Sequence, residues 1–227
     1  MGPAQGAGRA AVIRRQPVTW LLLLAIAAVW VVEGGLTIGI GGTIAASTAI
    51  GLGAQLTPLV LAGQWWRLVS AMFVHWSWLH VGLNGFSLYI VGSVVEPVYG
   101  GWRTLGVYFL GGVLGGLAVL ALMPPNVVSA GASGAIFALL GAVLVVAIVA
   151  IRRIGPSLLW WVLGIVGINL VFDVSVPFIA IWDHVGGFIG GILATVAFGL
   201  PGRRWSWLNG LAAVLLVALG AALWLVA

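Results

Sequence analysis

Seven long apolar stretches separated by short polar turns dominate the pattern of this chain. They cover residues 18–33 or somewhat beyond, 80–98, 102–123, 133–151, 157–172, 183–200 and 207–227. Each is close to the roughly 20 residues that an α-helix needs to cross the hydrocarbon core of a bilayer. The pattern therefore predicts an all-α membrane protein with seven transmembrane helices.

One long segment interrupts this regular spacing. Residues 34–79 are too mixed in polarity to form another clean span, and tryptophans crowd near the end of the segment. Because tryptophan is enriched at membrane–water interfaces, we expect this segment to lie along the bilayer surface. A second, shorter break at 124–126 contains two prolines and separates the third apolar run from the fourth.

Composition narrows the class of protein further. Hydrophobic residues make up 63% of the 227 positions, charged residues make up 6%, and the mean hydropathy is +1.23. A soluble domain carries about a quarter of its residues as charges, so the composition indicates a polytopic membrane protein. Six or seven spans of about 20 residues take up most of the 227 positions, so no separate soluble domain is expected. The net charge of +5 comes from arginines scattered at the ends of the apolar runs, so no nucleic-acid partner is expected.

The arginines also predict an orientation. With the N-terminus in the cytoplasm, all of the nine arginines except Arg67 lie on the inner side, as the positive-inside tendency requires. A cleaved signal peptide is the alternative for residues 14–32, but its removal would take away the largest basic cluster. The richness in Ala, Gly and Val and the lack of lysine indicate a bacterium. We therefore expect a multi-pass protein of a bacterial inner membrane.

A few polar residues inside the apolar runs are candidates for chemistry, because polar groups in a bilayer are expensive. Ser133 lies among glycines at the start of the fourth run, and His184 lies near the start of the sixth. A histidine can take the proton of a serine hydroxyl, which makes the two a candidate nucleophile and general base. Glycine pairs four residues apart at 186–191 would let the sixth helix approach a neighbour closely.

His80 and Asn84 are spaced i, i+4, so they share one face of the second helix. Together with the backbone N–H of Ser133 they could donate hydrogen bonds to the oxyanion of an attacked peptide carbonyl. Ser133, His184 and Asn84 each precede the next cytoplasmic arginine by 19 positions, roughly 28 Å of helix. The equal spacing predicts that the three side chains lie at a similar depth in the membrane, toward its outer face.

Each of these residues also has a structural interpretation. A serine at a helix start is often a capping or packing residue, and an intramembrane histidine can be a proton relay or a structural hydrogen bonder. His80 and Asn84 could simply bind a loop. A metal site is disfavoured, because cysteine is absent and His75 and His80 lie about 140° apart on a helix.

In combination, order and spacing are specific, and the chain resembles the rhomboid intramembrane serine proteases from about Trp65 to Gly191. The matching motifs are Trp66-Arg67, His75-x4-His80-x3-Asn84, Glu96-x3-Gly100, Gly131-Ala132-Ser133-Gly134 and His184-x2-Gly187. At position 137 the chain has Phe137 where some relatives carry tyrosine, a change that keeps stacking on His184 but loses a phenolic hydrogen bond.

The resemblance implies a fold, a site and its residues. The fold is a rhomboid-like six-helix core at 17–200, preceded by a cytoplasmic segment at 1–16 and followed by a seventh helix at 201–227. The site is a Ser133/His184 dyad without a catalytic aspartate, and Asp183 is not a third member, because adjacent residues on a helix diverge by about 100°. His80 and Asn84 form the oxyanion hole. Structural roles fall to Trp66, Arg67, His75, Glu96, Gly131, Gly134 and Gly187.

The expected function is hydrolysis, without a cofactor or metal, of peptide bonds in transmembrane segments of other membrane proteins. The loops at 123–132 and 173–182 are expected to form the rim and a mobile cap over the site. Two alternatives stay open. A catalytically dead relative would bind and escort membrane proteins, but it would lack the serine or the histidine. A transporter or channel would need charged residues near mid-bilayer or paired broken helices. Apart from Glu96, which is expected near the inner face, the predicted spans offer none.

Overall fold

The computed structural model describes residues 16–39, 41–175, 181–199 and 206–227. Seven long helices dominate these ranges. They are α1 (Pro17–Val32), α5 (Trp78–Tyr99), α6 (Gly101–Leu122), α7 (Ser133–Ile154), α8 (Ser157–Ser175), α9 (Ile181–Phe198) and α10 (Trp207–Val226). Within the described ranges, the last six are long and apolar enough to span a membrane, and α1 is a shorter apolar helix of 16 residues. The predicted all-α membrane fold is confirmed.

The helix ends differ from the sequence-based expectation by up to three residues. The second span was expected at 80–98, and α5 covers it, continuing through Pro97 to Tyr99, where Gly100 ends the helix with φ of 79°. Proline is tolerated in membrane helices, where neighbouring groups satisfy the freed carbonyl. The fifth span was expected to end at Phe172, but α8 runs on to Ser175. Asp173 therefore belongs to a helix and not to a loop.

The centre of the bundle is built from α6, α7 and α9, which pack with little space between their backbones. A Cβ atom at Gly187 of α9 would overlap the carbonyl oxygen of Gly134 in α7, and one at Gly191 would overlap the backbone of Ala138. On the other side of α9, a Cβ at Gly190 would come within 2.9 Å of Gly111 Cα in α6. The small residues at 186–191 thus permit the close approach that their spacing predicts.

The mixed segment between α1 and α5 folds into short elements above one end of the bundle. They are a 3₁₀ turn (Gly35–Thr37), α2 (Ala46–Gly51), β1 (Gln55–Leu56), α3 (Thr57–Leu61) and α4 (Arg67–Ser70). β1 pairs antiparallel with β2 (Val128–Ser129), in the loop between α6 and α7. This pairing brings the segment next to the start of α7.

Arg67 holds this segment together from inside. Its Nε donates to Gln64 Oε1 at 2.8 Å, and its Nη1 donates to the carbonyl oxygens of Ile50 at 2.7 Å and Ala54 at 2.8 Å. The guanidinium also lies 4.7 Å from the ring centroid of Trp66, within cation–π range. One buried side chain therefore joins α2, α4 and the turn between them.

A carboxylate fixes the opposite end of the bundle. Glu96, near the end of α5, accepts hydrogen bonds from the backbone N–H groups of Val18 at 2.9 Å and Thr19 at 2.8 Å, and from the Thr19 hydroxyl at 2.7 Å. The first N–H groups of a helix have no partner within it. Glu96 supplies that partner and ties α1 to α5.

The last helix, α10, packs on the outside of α6 and α9. Asn209 donates from Nδ2 to the carbonyl oxygen of Val196 in α9 at 2.5 Å. The predicted division of the chain into a cytoplasmic segment at 1–16, a six-helix core at 17–200 and a C-terminal helix at 201–227 stays a prediction. Residues 1–15 and 200–205, where its boundaries fall, lie outside the described residues.

Candidate active site

Ser133 is the first residue of α7, and the loop before it is held in a conformation that favours glycine. Gly131 has φ of 137°, and a Cβ atom there would come within 2.8 Å of the His80 ring. Its N–H donates to the carbonyl oxygen of Ala71 at 2.9 Å. Substitution at Gly131 would therefore strain the backbone and displace the His80 side chain.

His75 braces the same loop with both of its ring nitrogens. Nδ1 lies 2.9 Å from the carbonyl oxygen of Phe73, and Nε2 accepts the backbone N–H of Ala132 at 3.5 Å. The backbone N–H of His75 donates to the carboxylate of Glu33 at 3.2 Å. Burial and the nearby His80 lower the pKa of His75 to about 3, so the ring is neutral, with its proton on Nδ1. His75 therefore positions the residue before Ser133.

His80 and Asn84 point hydrogen-bond donors toward this loop. The backbone N–H of Trp76 donates to His80 Nδ1 at 3.4 Å, which leaves the proton of the neutral ring on Nε2. Asn84 Nδ2 is buried and has no hydrogen-bond partner in the described part of the chain. It would lie 3.6 Å from a Cβ atom at Gly131, beside His80 Nε2. Two donors are thus available close to Ser133.

The His184 ring is fixed by two contacts. It stacks on Phe137, with ring centroids 4.3 Å apart and the planes at 5°, which confirms that the phenylalanine keeps the stacking. Its Nδ1 lies 2.5 Å from Oδ2 of Asp173 in α8. Ser133 and His184 line the same cavity, with no direct hydrogen bond between them among the described residues. Such bonds often shorten only when substrate binds.

The contact with Asp173 gives His184 a carboxylate neighbour that the sequence analysis did not anticipate, and the dyad without a catalytic aspartate stays a prediction. The residue next to the histidine, Asp183, does not bond the ring; its carboxylate packs against Gly134 in α7 and Gly115 in α6. Asp173 was missed because α8 was expected to end at Phe172, three residues before its observed end, which placed this side chain in a loop. An ionisable residue inside a membrane helix would have been a functional candidate from the start.

The predicted residues separate into two groups. Ser133, His184, His80 and Asn84 all line one cavity of about 360 Å³, together with Trp76, Leu83, Ser87, Val128, Ser129, Ala130, Asn169, Asp173 and Asp183. Trp66, Arg67, His75 and Glu96 lie away from it, and Gly131, Gly134 and Gly187 shape the packing around it. The described residues contain no group of three or more His, Asp or Glu side chains that could hold a metal ion.

An apolar cleft of about 150 Å³ extends from the same serine and histidine between α5 and α8. Its lining includes Phe86 and Ile90 from α5 and Trp161 and Ile165 from α8. α8 packs on α7 and touches α5 at most marginally. The cavity therefore continues into a cleft that opens toward the side of the bundle.

Comparison with known proteins agrees with this arrangement. The family model for the Rhomboid domain matches residues 62–201, and the chain belongs to the rhomboid family. With its apolar helices, it is an integral membrane protein.

Individual relatives show the same family. Rhomboid protease GluP of Bacillus subtilis (strain 168) is 39% identical over 183 residues, which cover 79% of this chain and 35% of that protein. RHOMBOID-like protein 9, chloroplastic, of Arabidopsis thaliana is 43% identical over 94 residues, 41% of this chain and 21% of that protein. Putative rhomboid protease YdcA of Bacillus subtilis (strain 168) is 28% identical over 134 residues, which cover 59% of this chain and 67% of that protein. The chain thus spans about a third of the length of GluP.

Proposed function

We propose that this protein is a serine endopeptidase that cleaves transmembrane segments of other membrane proteins, with Ser133 as nucleophile and His184 as general base. The observation that carries the proposal is the shared cavity, in which the serine and the histidine meet two hydrogen-bond donors, His80 Nε2 and Asn84 Nδ2. Membership of the rhomboid family and relatives named as rhomboid proteases support the same reaction.

The chemistry follows from what each group can do. Ser133 Oγ attacks the scissile carbonyl carbon while its proton passes to Nε2 of His184. The negative charge that develops on the carbonyl oxygen is stabilised by the donors of His80 and Asn84 and by the backbone N–H of Ser133. The imidazolium then gives its Nε2 proton to the leaving amine, and a water molecule, deprotonated by the same nitrogen, releases the acyl group from Ser133.

Substrate access is proposed through the cleft between α5 and α8. Its apolar lining suits a segment that arrives from the lipid, whereas the polar cavity suits an extended backbone at the serine. A peptide bond inside a helix is shielded, so substrates with glycine or proline near the cleavage site should be favoured, because they unwind easily.

We further propose that the N-terminus is cytoplasmic and that the site lies toward the outer face of a bacterial inner membrane. The motif residues that do not line the cavity are proposed to have structural roles. The contacts of Arg67, His75 and Glu96 support those roles. Of the cap expected at 173–182, residues 173–175 belong to α8 and residues 181–182 to α9, and residues 176–180 lie outside the described residues.

The test uses the purified protein in vesicles with a model transmembrane substrate and a fluorophosphonate probe that labels reactive serines. Ser133→Ala and His184→Ala should each abolish cleavage, and the double variant should be no worse than either, because members of one catalytic unit are not additive. Ser93→Ala is the matched control, since that hydroxyl bonds only the Ile90 carbonyl of its own helix. Cleavage at the full rate by Ser133→Ala would refute the proposal.

A further inference from the structure

Glu33 is a buried carboxylic acid that neither the family motifs nor the proposed reaction uses. It directly follows the last residue of α1 and is 5% exposed. Among the described residues, the backbone N–H of His75 is its one hydrogen-bond donor, at 3.2 Å from one carboxyl oxygen and 3.3 Å from the other, and no cationic side chain pairs with it. A single N–H group of a distant segment therefore holds this side chain.

Stability alone does not account for a carboxylate at this position. Moving an ionised carboxylate out of water is costly unless opposite charges or several hydrogen bonds compensate it. Glu33 also lies at the C-terminal end of α1, where the partial negative charge of the helix dipole disfavours a second negative charge. Both effects disfavour the residue, so what Glu33 contributes is its contact with the backbone of His75.

The backbone that Glu33 holds is connected to both parts of the proposed oxyanion site. The ring of His75 accepts the N–H of Ala132, the residue directly before the nucleophile. The next backbone N–H, that of Trp76, donates to Nδ1 of His80 and so keeps the ring proton on Nε2. One short stretch of backbone therefore supports the start of α7 on one side and an oxyanion donor on the other.

The same stretch has a second fixed point on its other side. The carbonyl oxygen of Trp76 accepts the backbone N–H of Ile44 at 2.9 Å. Without the carboxyl group of Glu33, the N–H of His75 would lack its partner, although His75 is fully buried. A buried N–H without a partner is costly, so the backbone would shift to find one. The contact with Ile44 does not replace the missing acceptor.

We propose that Glu33 is a positioning residue for the oxyanion site and acts through the backbone of His75 and Trp76, an inference that rests on the proposed function. Glu33 does not line the cavity, so its effect falls on the geometry of the donors and not on contact with substrate. Donors that are out of place stabilise the transition state less, which lowers kcat more than it changes KM. The contact needs an acceptor oxygen and not a negative charge.

The test compares Glu33→Ala and Glu33→Gln with Thr19→Val in vesicles that contain the model transmembrane substrate. Thr19→Val is the matched control, because it removes a hydrogen bond to a different buried carboxylate, Glu96, at the other end of α1. Each kcat is divided by the fraction of protein that the fluorophosphonate labels at completion, so that unfolded protein does not count.

Glu33→Ala should lower this corrected kcat by on the order of 10-fold or more with little change in KM. Glu33→Gln keeps an acceptor oxygen and should stay near the wild type, as should Thr19→Val. An unchanged kcat in Glu33→Ala, or an equal loss in Glu33→Gln or in Thr19→Val, would overturn the proposal.

Hydrogen–deuterium exchange gives a second readout, which does not depend on cleavage. In Glu33→Ala the amide hydrogens of residues 73–77 and 130–134 should exchange faster, because both segments lose a fixed point, whereas Glu33→Gln and Thr19→Val should match the wild type there. Equal exchange in all four proteins would refute the positioning role, even if cleavage fell. Failure of the proposed function has a different signature: the exchange differences are present, but the wild type neither cleaves substrate nor reacts with the fluorophosphonate at Ser133.

Discussion

At the scale of single residues, the nitrogen atoms around Ser133 divide into those already bonded and those available to substrate. Both ring nitrogens of His75 are engaged by backbone groups, so this ring can only support the loop. Among the described residues, His80 and His184 each have one ring nitrogen in a hydrogen bond and one without a partner. The amide donor of Asn84 also has no partner in the described part of the chain. The hydrogen bonds thus distinguish His75, with both nitrogens engaged, from the two histidines that the proposed function uses.

This division predicts how the oxyanion donors respond to mutation. Replacing His80 or Asn84 with alanine should lower kcat on the order of 10²-fold or more with a smaller effect on KM, because the donor acts mainly when negative charge develops on the carbonyl oxygen. Steady-state kinetics on a transmembrane substrate in detergent would measure both. Ser93→Ala, on the same helix, controls for local disturbance. A rise in KM at constant kcat would assign the residue to substrate binding.

The neutral state of His75 predicts a pH effect on stability. Its pKa is about 3 in the folded protein, against an ordinary value of 6.5, so the unfolded chain takes up a proton that the folded state excludes. This contribution is fully present above pH 6.5 and is lost as the pH falls toward 3. The Tm of the wild type should therefore fall more steeply between pH 7 and pH 5 than the Tm of His75→Gln. Parallel curves would contradict a neutral, buried His75.

Much of the site could be predicted from the sequence, because a polar residue in an apolar run is conspicuous. Ser133, His184 and Asn84 stand out for that reason. Asp173 did not, since its position near a helix end made it look like a loop residue. The contacts of His75 with Phe73 and Ala132 join distant segments in the tertiary structure, and no local pattern reports them.

At the scale of helices and strands, apolarity located every long helix to within a few residues, whereas the surface segment could not be predicted in detail. Membrane helices must be long and apolar, so their sequence pattern is strong. β1 and β2 have two residues each, which is too short for an alternating pattern to be recognised. Their pairing depends on the loop before α7 meeting a segment more than 70 positions earlier.

The close packing of α7 and α9 makes a glycine substitution a sharp test of this arrangement. Gly187→Val should lower the free energy of unfolding by about 3 kcal/mol and abolish cleavage, because the new side chain would meet the Gly134 backbone, which cannot move aside easily. Gly164→Val on α8 is the matched control, since a Cβ there meets nothing within 4 Å. Thermal unfolding in detergent would measure both, and equal effects would argue against backbone contact between α7 and α9.

At the scale of the whole molecule, the contrast between tight and loose helix pairs indicates where a substrate could enter. α6, α7 and α9 are held by backbone contact, whereas α8 packs mainly on α7 and leaves an apolar cleft against α5. The contact between Asp173 and His184 ties the end of α8 to α9. A displacement of α8 away from α5 would therefore move Asp173 and disturb its contact with His184.

Widening this cleft should speed the cleavage of a transmembrane substrate if entry limits the rate. Trp161→Ala removes a large side chain that lines the cleft from α8, whereas Trp160→Ala removes a neighbouring tryptophan that is 68% exposed on another face of the helix. We expect Trp161→Ala to raise cleavage several-fold, Trp160→Ala to have no effect, and fluorophosphonate labelling of Ser133 to be equal in both, because the small probe needs no lateral opening. Unchanged or reduced cleavage by a folded, normally labelled Trp161→Ala would mean that substrate reaches the serine over the loops and not through the cleft.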